Sequence, residues 1–321
     1  MNPDVVEAIE RLRREGVLTE VQASPLERAA RGELVSVEAE LRTLLYAGVV
    51  LITTGIGLFM KENHERLGPA AIGTLLALAA AACLGYAWRR LPSFTWRSAG
   101  ATHLGADYVL LLGVLLIGAD LGYLEVQLHL LGAEWPYHLL VGSLVAFLLA
   151  YRFDSRAVLS IALTSFAAWR GVAVSLSFAA RSPSTIPAVR ANALACGALF
   201  VAAGIASART ARKPHFEPVY VRLGLLLLFG GLLTGAFGSA TASWFLWEIA
   251  LLALASVVIA AAYRLRRALD FSIGVLAAYF GLLRILFQAT HDASGLLIVA
   301  ASSVAVVVLL IRAQRRMRED R

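Results

Sequence analysis

Charged residues are scarce in this sequence. Asp, Glu, Lys and Arg make up 16% of the 321 residues, whereas 59% are hydrophobic, and the mean hydropathy is +0.72. Soluble globular domains contain about 25% charged residues, so this composition excludes an ordinary soluble enzyme. Because about 20 apolar residues form a helix that crosses the roughly 30 Å hydrocarbon core of a bilayer, the sequence predicts an all-α membrane helical bundle.

Cysteine is also scarce, and the familiar catalytic motifs are missing. Cys83 and Cys196 each lie inside an apolar run without a neighbouring His or Cys at metal-ligand spacing, so we interpret them as packing residues. The sequence has no Gly-rich phosphate loop, no nucleophile elbow and no carboxylate pair beside a recognisable cleft. These absences predict no cofactor and favour a protein that is not an enzyme.

No proline falls in the middle of a long apolar segment, so none of the expected membrane helices is broken by one. Trp and Tyr residues collect at the segment ends, where amphipathic rings lie at the level of the lipid headgroups. We therefore predict about ten transmembrane helices, at residues 43–60, 67–88, 103–124, 136–151, 157–178, 187–208, 218–238, 244–263, 269–287 and 294–311.

Basic residues are nearly absent from alternate connections between these segments. With the N-terminus in the cytoplasm, the connections at 89–97, 152–156, 209–213 and 264–267 and the basic tail all lie inside. The prediction is a multi-pass inner-membrane protein with both termini cytoplasmic. The net charge of +7 is then explained by the basic residues of the cytoplasmic connections and tail, and no nucleic-acid partner is expected. The outward-facing cations are Lys61, Arg66, Arg181 and Arg190.

The first forty residues are polar and have the pattern of short amphipathic helices. One helix follows Pro3 and stops at Gly16, and the run Ser24-Pro25-Leu26-Glu27 resembles a capping box at the start of a second. We predict a cytoplasmic helical domain at 1–40, a transmembrane bundle at 41–312 and a basic cytoplasmic tail at 313–321. The first domain is either a hairpin on the membrane surface or a docking platform for a cytoplasmic protein partner.

A faint internal repeat relates the two halves of the bundle. At an offset of 112 residues, Trp135 aligns with Trp247, and the Tyr151-Arg152 pair aligns with Tyr263-Arg264. A true repeat would relate 103–208 to 218–312, and four crossings per unit would make the units parallel. The other interpretation is chance, because Leu-rich segments match each other easily.

Two arginines lie inside apolar segments and carry the functional hypothesis. Arg170 and Arg284 both fall roughly 20 Å from the inner ends of segments five and nine, counting about 1.5 Å per residue. A charge at this depth should face the bundle interior, a carboxylate or water. We expect an outward polar cavity in which both arginines bind an anion, with Asp120 and Glu248 as resting partners and His129 and Glu134 nearby.

Three other interpretations of these polar residues stay open. The arginines form buried ion pairs or extend to the surface, or segment five ends at Trp169, which leaves a crossing of only about 20 Å. Glu125, His129, Glu134 and His138 are metal-ligand types, but Pro136 interrupts their helical spacing, so no metal site is predicted.

Four features occur in a particular order along the chain. They are Gly16-Val17-Leu18-Thr19 with Gln22, the Gly-rich stretch 48–57, the turn Gln127-x-His129-Leu-x-Gly132-x-x-Trp135-Pro136, and an Arg284-bearing penultimate segment before a basic tail. This order resembles the bacterial predicted membrane proteins grouped as domain of unknown function 2157. That resemblance implies an integral inner-membrane protein and supplies no catalytic residues. This sequence has His129 at a position where an aromatic residue such as tyrosine is expected.

Two functions follow as hypotheses. The first is binding or transport of a small anionic solute or lipid headgroup through the outward cavity. The alternative is a membrane scaffold or sensor whose N-terminal domain docks a cytoplasmic partner.

Overall fold

The computed structural model describes residues 3–30, 38–92, 94–96, 104–129, 132–171, 186–238, 244–289 and 293–319. These residues are all-helical and contain no strand. Two short 3-10 helices lie at Gly132–Glu134 and Pro214–Phe216. The α-helices are α1 (Pro3–Arg14), α2 (Glu20–Ala30), α3 (Glu38–Arg90), α4 (Leu104–Leu128), α5 (Tyr137–Phe153), α6 (Arg156–Trp169), α7 (Ile186–Arg209), α8 (Glu217–Gly238), α9 (Trp244–Arg264), α10 (Ala268–Ala289) and α11 (Ala293–Glu319).

The chain divides into two compact units, 1–62 and 63–321. In the first unit, α1 and α2 form a hairpin that buries Ile9 and Ala23. The predicted start of α2 at Ser24 is wrong, because Thr19 and Gln22 begin the helix earlier. The Thr19 backbone N–H donates to Gln22 Oε1 at 3.2 Å, which is one half of a capping box.

The second unit contains most of the apolar helices. Counting all described residues, eight helical stretches are long and apolar enough to cross a membrane. The chain is therefore a membrane protein, and the predicted number of about ten is not confirmed. The stretches are Glu40–Asn63, Arg66–Arg90, Gly105–Leu128, Ile186–Arg209, Pro214–Gly238, Trp244–Arg264, Ala268–Leu286 and Ile298–Arg316.

The two remaining predicted segments correspond to the shorter helices α5 and α6, of 17 and 14 residues. The predicted helix at 157–178 is wrong in length, since α6 ends at Trp169. Gly171 has φ +80°, and its N–H donates to the Ala168 carbonyl at 2.9 Å, as in helices that end on a left-handed glycine. Residues 172–178 lie outside the described residues.

Glycines allow α7 and α8 to cross in backbone contact. A Cβ built on Gly197 would lie 2.8 Å from the Gly224 carbonyl oxygen, and the reverse distance is also 2.8 Å. Gly204 and Gly231 make similarly close approaches along the same pair of helices. Small residues at such a crossing are the usual way for membrane helices to associate closely.

The apolar core of the second unit is centred on α8, α9 and α10. Leu225 and Phe229 of α8 pack with Leu251 and Ala255 of α9 and with Ala277 of α10. On the other side, α6 is the most enclosed short helix, with Val158, Leu159, Ala162 and Leu163 fully buried. These contacts fix the positions from which the polar residues below project.

Candidate functional site

Arg284 is held between two aromatic rings where α8 and α10 end and α9 begins. Its guanidinium carbon lies 5.3 Å from the Phe237 ring centroid and 5.2 Å from that of Trp244. This is cation–π geometry on both sides. The Nε atom is buried and has no hydrogen-bond partner, and the structure gives the guanidinium no ion pair with a described residue. Among the described residues, the Nε–H donor of Arg284 is therefore left unsatisfied.

Glu248 is the buried carboxyl of the same region. It lies one helical turn beyond Trp244 on α9, is 2% exposed, and neither carboxyl oxygen has a hydrogen-bond partner among the described residues. An unpartnered buried carboxylate is strongly unfavourable, because its lost hydration is not replaced. Gly281 of α10 makes room for it, since a Cβ at that position would overlap Glu248 Oε1.

Arg284 and Glu248 act on each other through charge but do not touch. The guanidinium exerts a Coulomb interaction on the carboxyl, yet no N–O distance between them is within 4.0 Å. Gly281 and Arg284 are three residues apart, so they share one face of α10. The carboxyl therefore lies about one helical turn deeper than the guanidinium. We call Arg284, Glu248, Gly281, Phe237 and Trp244 the Arg284 site.

A second arginine lies near this end of the bundle. The Arg190 guanidinium of α7 is 4.4 Å from the Trp247 ring centroid, and Trp247 packs closely on Gly235 of α8. Arg190 also borders a cavity of about 210 Å³ between α7 and α8, which is lined by Gly230 and Thr234 as well. From the sequence, Arg190 was interpreted only as one of the outward-facing cations.

The structure places Arg170 in a different setting from the one expected. It is the exposed residue that directly follows α6, and its Nη2 donates to Asn192 Oδ1 at 3.0 Å. The Asn192 Nδ2 donates back to the Arg170 carbonyl at 2.8 Å. Among the described residues, Arg170 makes no contact with Arg284 or Asp120. The expectation that it lies within a membrane helix is wrong, because α6 stops one residue earlier.

Asp120 lies against α3. Its Oδ1 atom is buried without a hydrogen-bond partner, 3.3 Å from a Cβ built on Gly73. The hydroxyl of Tyr123 on the same helix is also buried and without a partner. Like the Glu248 carboxyl, Asp120 Oδ1 is therefore buried without a hydrogen-bond partner. No cation contacts Asp120 in the part of the chain that the structure describes.

His129 and Glu134 are both exposed, at the turn between α4 and α5. His129 follows the last residue of α4 with φ 48°, and Glu134 ends the 3-10 helix. Glu125 closes the turn by accepting from the Gly132 N–H at 3.0 Å. Over the described ranges, no group of three metal-ligating side chains comes together.

A buried ionic cluster at the other end of α8 was missed by the sequence analysis. Asp154, in the α5–α6 turn, has its Oδ1 atom 2.6 Å from Lys213 Nζ and 2.8 Å from His215 Nε2. The Lys213 side chain is 1% exposed and lies over the Phe94 and Phe216 rings. Sequence alone assigned Lys213 to the set of cytoplasmic cations. Its position directly before Pro214 was the one visible sign of a fixed turn.

A second pair of ionic contacts joins α8 to α10 at this same end. Arg222 Nε donates to Asp270 Oδ1 at 2.9 Å, and Arg267 donates to Glu217. That second hydrogen bond raises the pKa of the Arg267 guanidinium above its ordinary value, although burial opposes the shift. Arg222 and Arg267 are each paired with a carboxylate, so these contacts fix the helix ends at this side of the bundle.

The model of a family described as predicted membrane protein, DUF2157, matches residues 10–159. This match confirms the resemblance over residues 10–159, a stretch that includes Asp120, His129 and Glu134. The DUF2157 match stops before Arg170, Glu248 and Arg284, so the Arg284 site lies outside it. No curated protein and no solved structure matches the chain.

Proposed function

We propose that this protein binds an oxyanion, carried by a small solute or by a lipid headgroup, at the Arg284 site. The observation that carries the proposal is the Arg284 guanidinium, which lies over two aromatic rings while its buried Nε lacks a hydrogen-bond partner among the described residues. A guanidinium offers paired donors that match the oxygens of phosphate, sulfonate or carboxylate groups. Low dielectric surroundings strengthen that attraction.

Glu248 is the counter-charge of the empty site. A lone arginine within a membrane helix costs at least about 2.5 kcal/mol on insertion scales, so a nearby carboxylate lowers the cost of keeping it there. Because the two groups do not form a direct ion pair, the arginine keeps its hydrogen-bonding capacity. Arg170 and Asp120 are not needed for binding in this proposal.

The site faces outward if all ten predicted segments cross the bilayer. The 17 residues of α5 and the 14 of α6 span about 25 Å and about 21 Å at 1.5 Å per residue. A crossing as short as α6 is supported by its burial among other helices, which shields much of its length from lipid. Both termini are then cytoplasmic in an inner membrane, and the Arg284 end of the bundle is outside.

Backbone geometry supports the proposal that 103–208 and 218–312 form an internal repeat. Asp154 and Arg266 are 112 positions apart, and their φ angles are 62° and 53°. The next residues, Ser155 and Arg267, donate to the carbonyls of Ala150 and Ala262 at 3.1 Å and 2.9 Å. A shared turn after α5 and α9 is more specific than matching leucines. It supports two parallel units with a diverged site in the second.

Ligand-dependent thermal stability of the purified full chain tests the function. Dimethyl phosphate represents a free oxyanion, and phosphatidylglycerol added to neutral-lipid micelles represents a headgroup. We expect one of them to raise Tm in the wild type, Arg284→Leu to abolish the shift and Arg284→Lys to weaken it. Arg264→Leu, at the exposed opposite end of α9, is the matched control. An unchanged response of Arg284→Leu overturns the proposal.

A second candidate function rests on the N-terminal hairpin. Leu12, Val17 and Leu26 are 39%, 65% and 46% exposed on α1, the following turn and α2. Exposed apolar side chains on a small hairpin suit a scaffold or sensor that docks a cytoplasmic protein. Deletion of residues 1–36 and the milder Leu12→Ser/Leu26→Ser variant should then both lose the same stoichiometric partner on co-purification. Retention of that partner by both variants rejects the scaffold function.

A further inference from the structure

We propose that binding of an oxyanion at Arg284 is accompanied by uptake of one proton at Glu248. This inference rests on the proposed function and adds the ion to which binding is coupled. It follows from the fact that the ligand and the Glu248 carboxylate would neutralise the same cation.

Among the described residues, one positive charge acts on the Glu248 carboxyl, and it belongs to Arg284 on α10. The guanidinium of Arg190 on α7 lies instead over the neighbouring Trp247 ring. Gly281, also on α10, lies against the carboxyl and contributes no donor. From α8, Phe237 faces the guanidinium and carries no charge. The ionised carboxyl therefore depends on Arg284 for its stability.

Binding of an anion to Arg284 weakens the stabilisation that Arg284 gives to the Glu248 carboxylate. The guanidinium then faces two negative groups, and Glu248 is 2% exposed with no hydrogen bond to compensate its charge. Protonation of the carboxylate removes this unfavourable charge, because burial of a neutral carboxylic acid costs far less free energy than burial of an ion. For a monovalent oxyanion, the site has the same net charge when empty and when it holds the anion and the proton.

Comparison with Asp154 and Asp120 shows why Glu248 is the carboxyl that can change its protonation state. Asp154 is in direct contact with Lys213 at 2.6 Å and also has His215 beside it. Such a pair stays ionised, since its charges satisfy each other. Asp120 is buried at one oxygen but has no cation in contact within the described structure, so a ligand has nothing to compete for there.

The pH dependence of dimethyl phosphate binding to the full chain tests the inference, because this diester stays ionised. We expect wild-type affinity, obtained by fitting the rise of stability with ligand concentration L to RT ln(1 + L/Kd), to fall about tenfold per pH unit once Glu248 is ionised in the empty protein. Glu248→Gln imitates the protonated carboxyl and should bind with an affinity independent of pH. Glu62→Gln, an exposed substitution, should keep the wild-type slope.

Direct measurement of protons on the wild type avoids dependence on the folding of a variant. In weak buffer with a pH indicator, each bound dimethyl phosphate should remove one proton from solution at a pH where the affinity slope is observed. If dimethyl phosphate does not bind, phosphatidylglycerol is titrated in the same way.

The outcomes separate this inference from the proposed function. Binding that needs Arg284 but is flat with pH, or that retains its slope in Glu248→Gln, overturns the proton coupling and leaves the anion site in place. Binding that persists in Arg284→Leu, or absent binding of both probes at every pH, overturns the anion site itself.

Discussion

The carboxyl group of Glu248 occupies the space that a side chain at Gly281 would need. Any Cβ at Gly281 would meet Glu248 Oε1 and also the Leu251 side chain, at 3.0 Å. The glycine on α10 is therefore what lets the carboxyl on α9 lie beneath Arg284.

Gly281→Ala should displace the carboxyl and overpack the α9–α10 contact. We expect a loss of about 1–3 kcal/mol of stability, together with loss of the anion-dependent Tm shift. Gly85→Ala is the control, because nothing lies within 4 Å of a Cβ there and alanine favours a helix interior. A Gly281→Ala protein with wild-type stability and anion response would contradict the described packing.

The α7–α8 crossing should tolerate no side chain at Gly224. Gly224→Ala brings a methyl group within 2.8 Å of the Gly197 carbonyl oxygen, so we expect destabilisation of about 1–3 kcal/mol in thermal or denaturant unfolding. Gly118→Ala on α4 should change stability by at most about 0.5 kcal/mol, since its Cβ would meet nothing within 4 Å. Equal effects of the two substitutions would argue against this helix contact.

The Lys213–Asp154 contact should behave as a buried ion pair. Lys213→Met or Asp154→Asn alone leaves one charge buried without its partner, at an expected cost of about 3–5 kcal/mol. The double variant should cost less than the sum of the single changes, and a double-mutant cycle of unfolding measures this coupling. Additive single effects would show that the 2.6 Å contact contributes little.

Single-cysteine labelling can decide whether α5 and α6 cross the bilayer. In a Cys83→Ala/Cys196→Ala background, we expect His129→Cys to react with an impermeant maleimide from outside the cell. Arg156→Cys, at the exposed start of α6, should react only after the membrane is opened. If Arg156→Cys stays unreactive on both sides, α5 and α6 form a hairpin that enters and leaves from one face.

The helices were predictable from the sequence where length and apolarity dominate. The segments that correspond to α4 and α7 through α10 were placed within a few residues, because a long apolar run has few alternatives to a helix. By contrast, α3 continues between two predicted segments, and α11 extends beyond its predicted end at residue 311. The end of α6 was harder to predict from the sequence. Its apolar run continues past Trp169, and only the left-handed conformation of Gly171 shows the break.

The candidate site was predictable in part. The depth of Arg284 and the presence of Glu248 one segment earlier could be read from spacing, because helical rise converts residue number into depth. The ring contacts of Phe237 and Trp244, and the space provided by Gly281, depend on how three helices face one another. Lys213 could not be predicted for the same reason, because an apparently ordinary surface cation is enclosed by the nearby Phe216 and by Phe94 and Asp154 from two distant parts of the chain.

The backbone contact between Gly197 and Gly224 restricts how this protein can change shape. Sliding between two helices normally relies on side chains that exchange rotamers, and here the two backbones themselves meet at Gly197 and Gly224. A shift of α7 along α8 would press carbonyl groups against each other. Any movement that exposes Glu248 or admits an anion must therefore tilt α9 and α10 while α7 and α8 travel together as one rigid body.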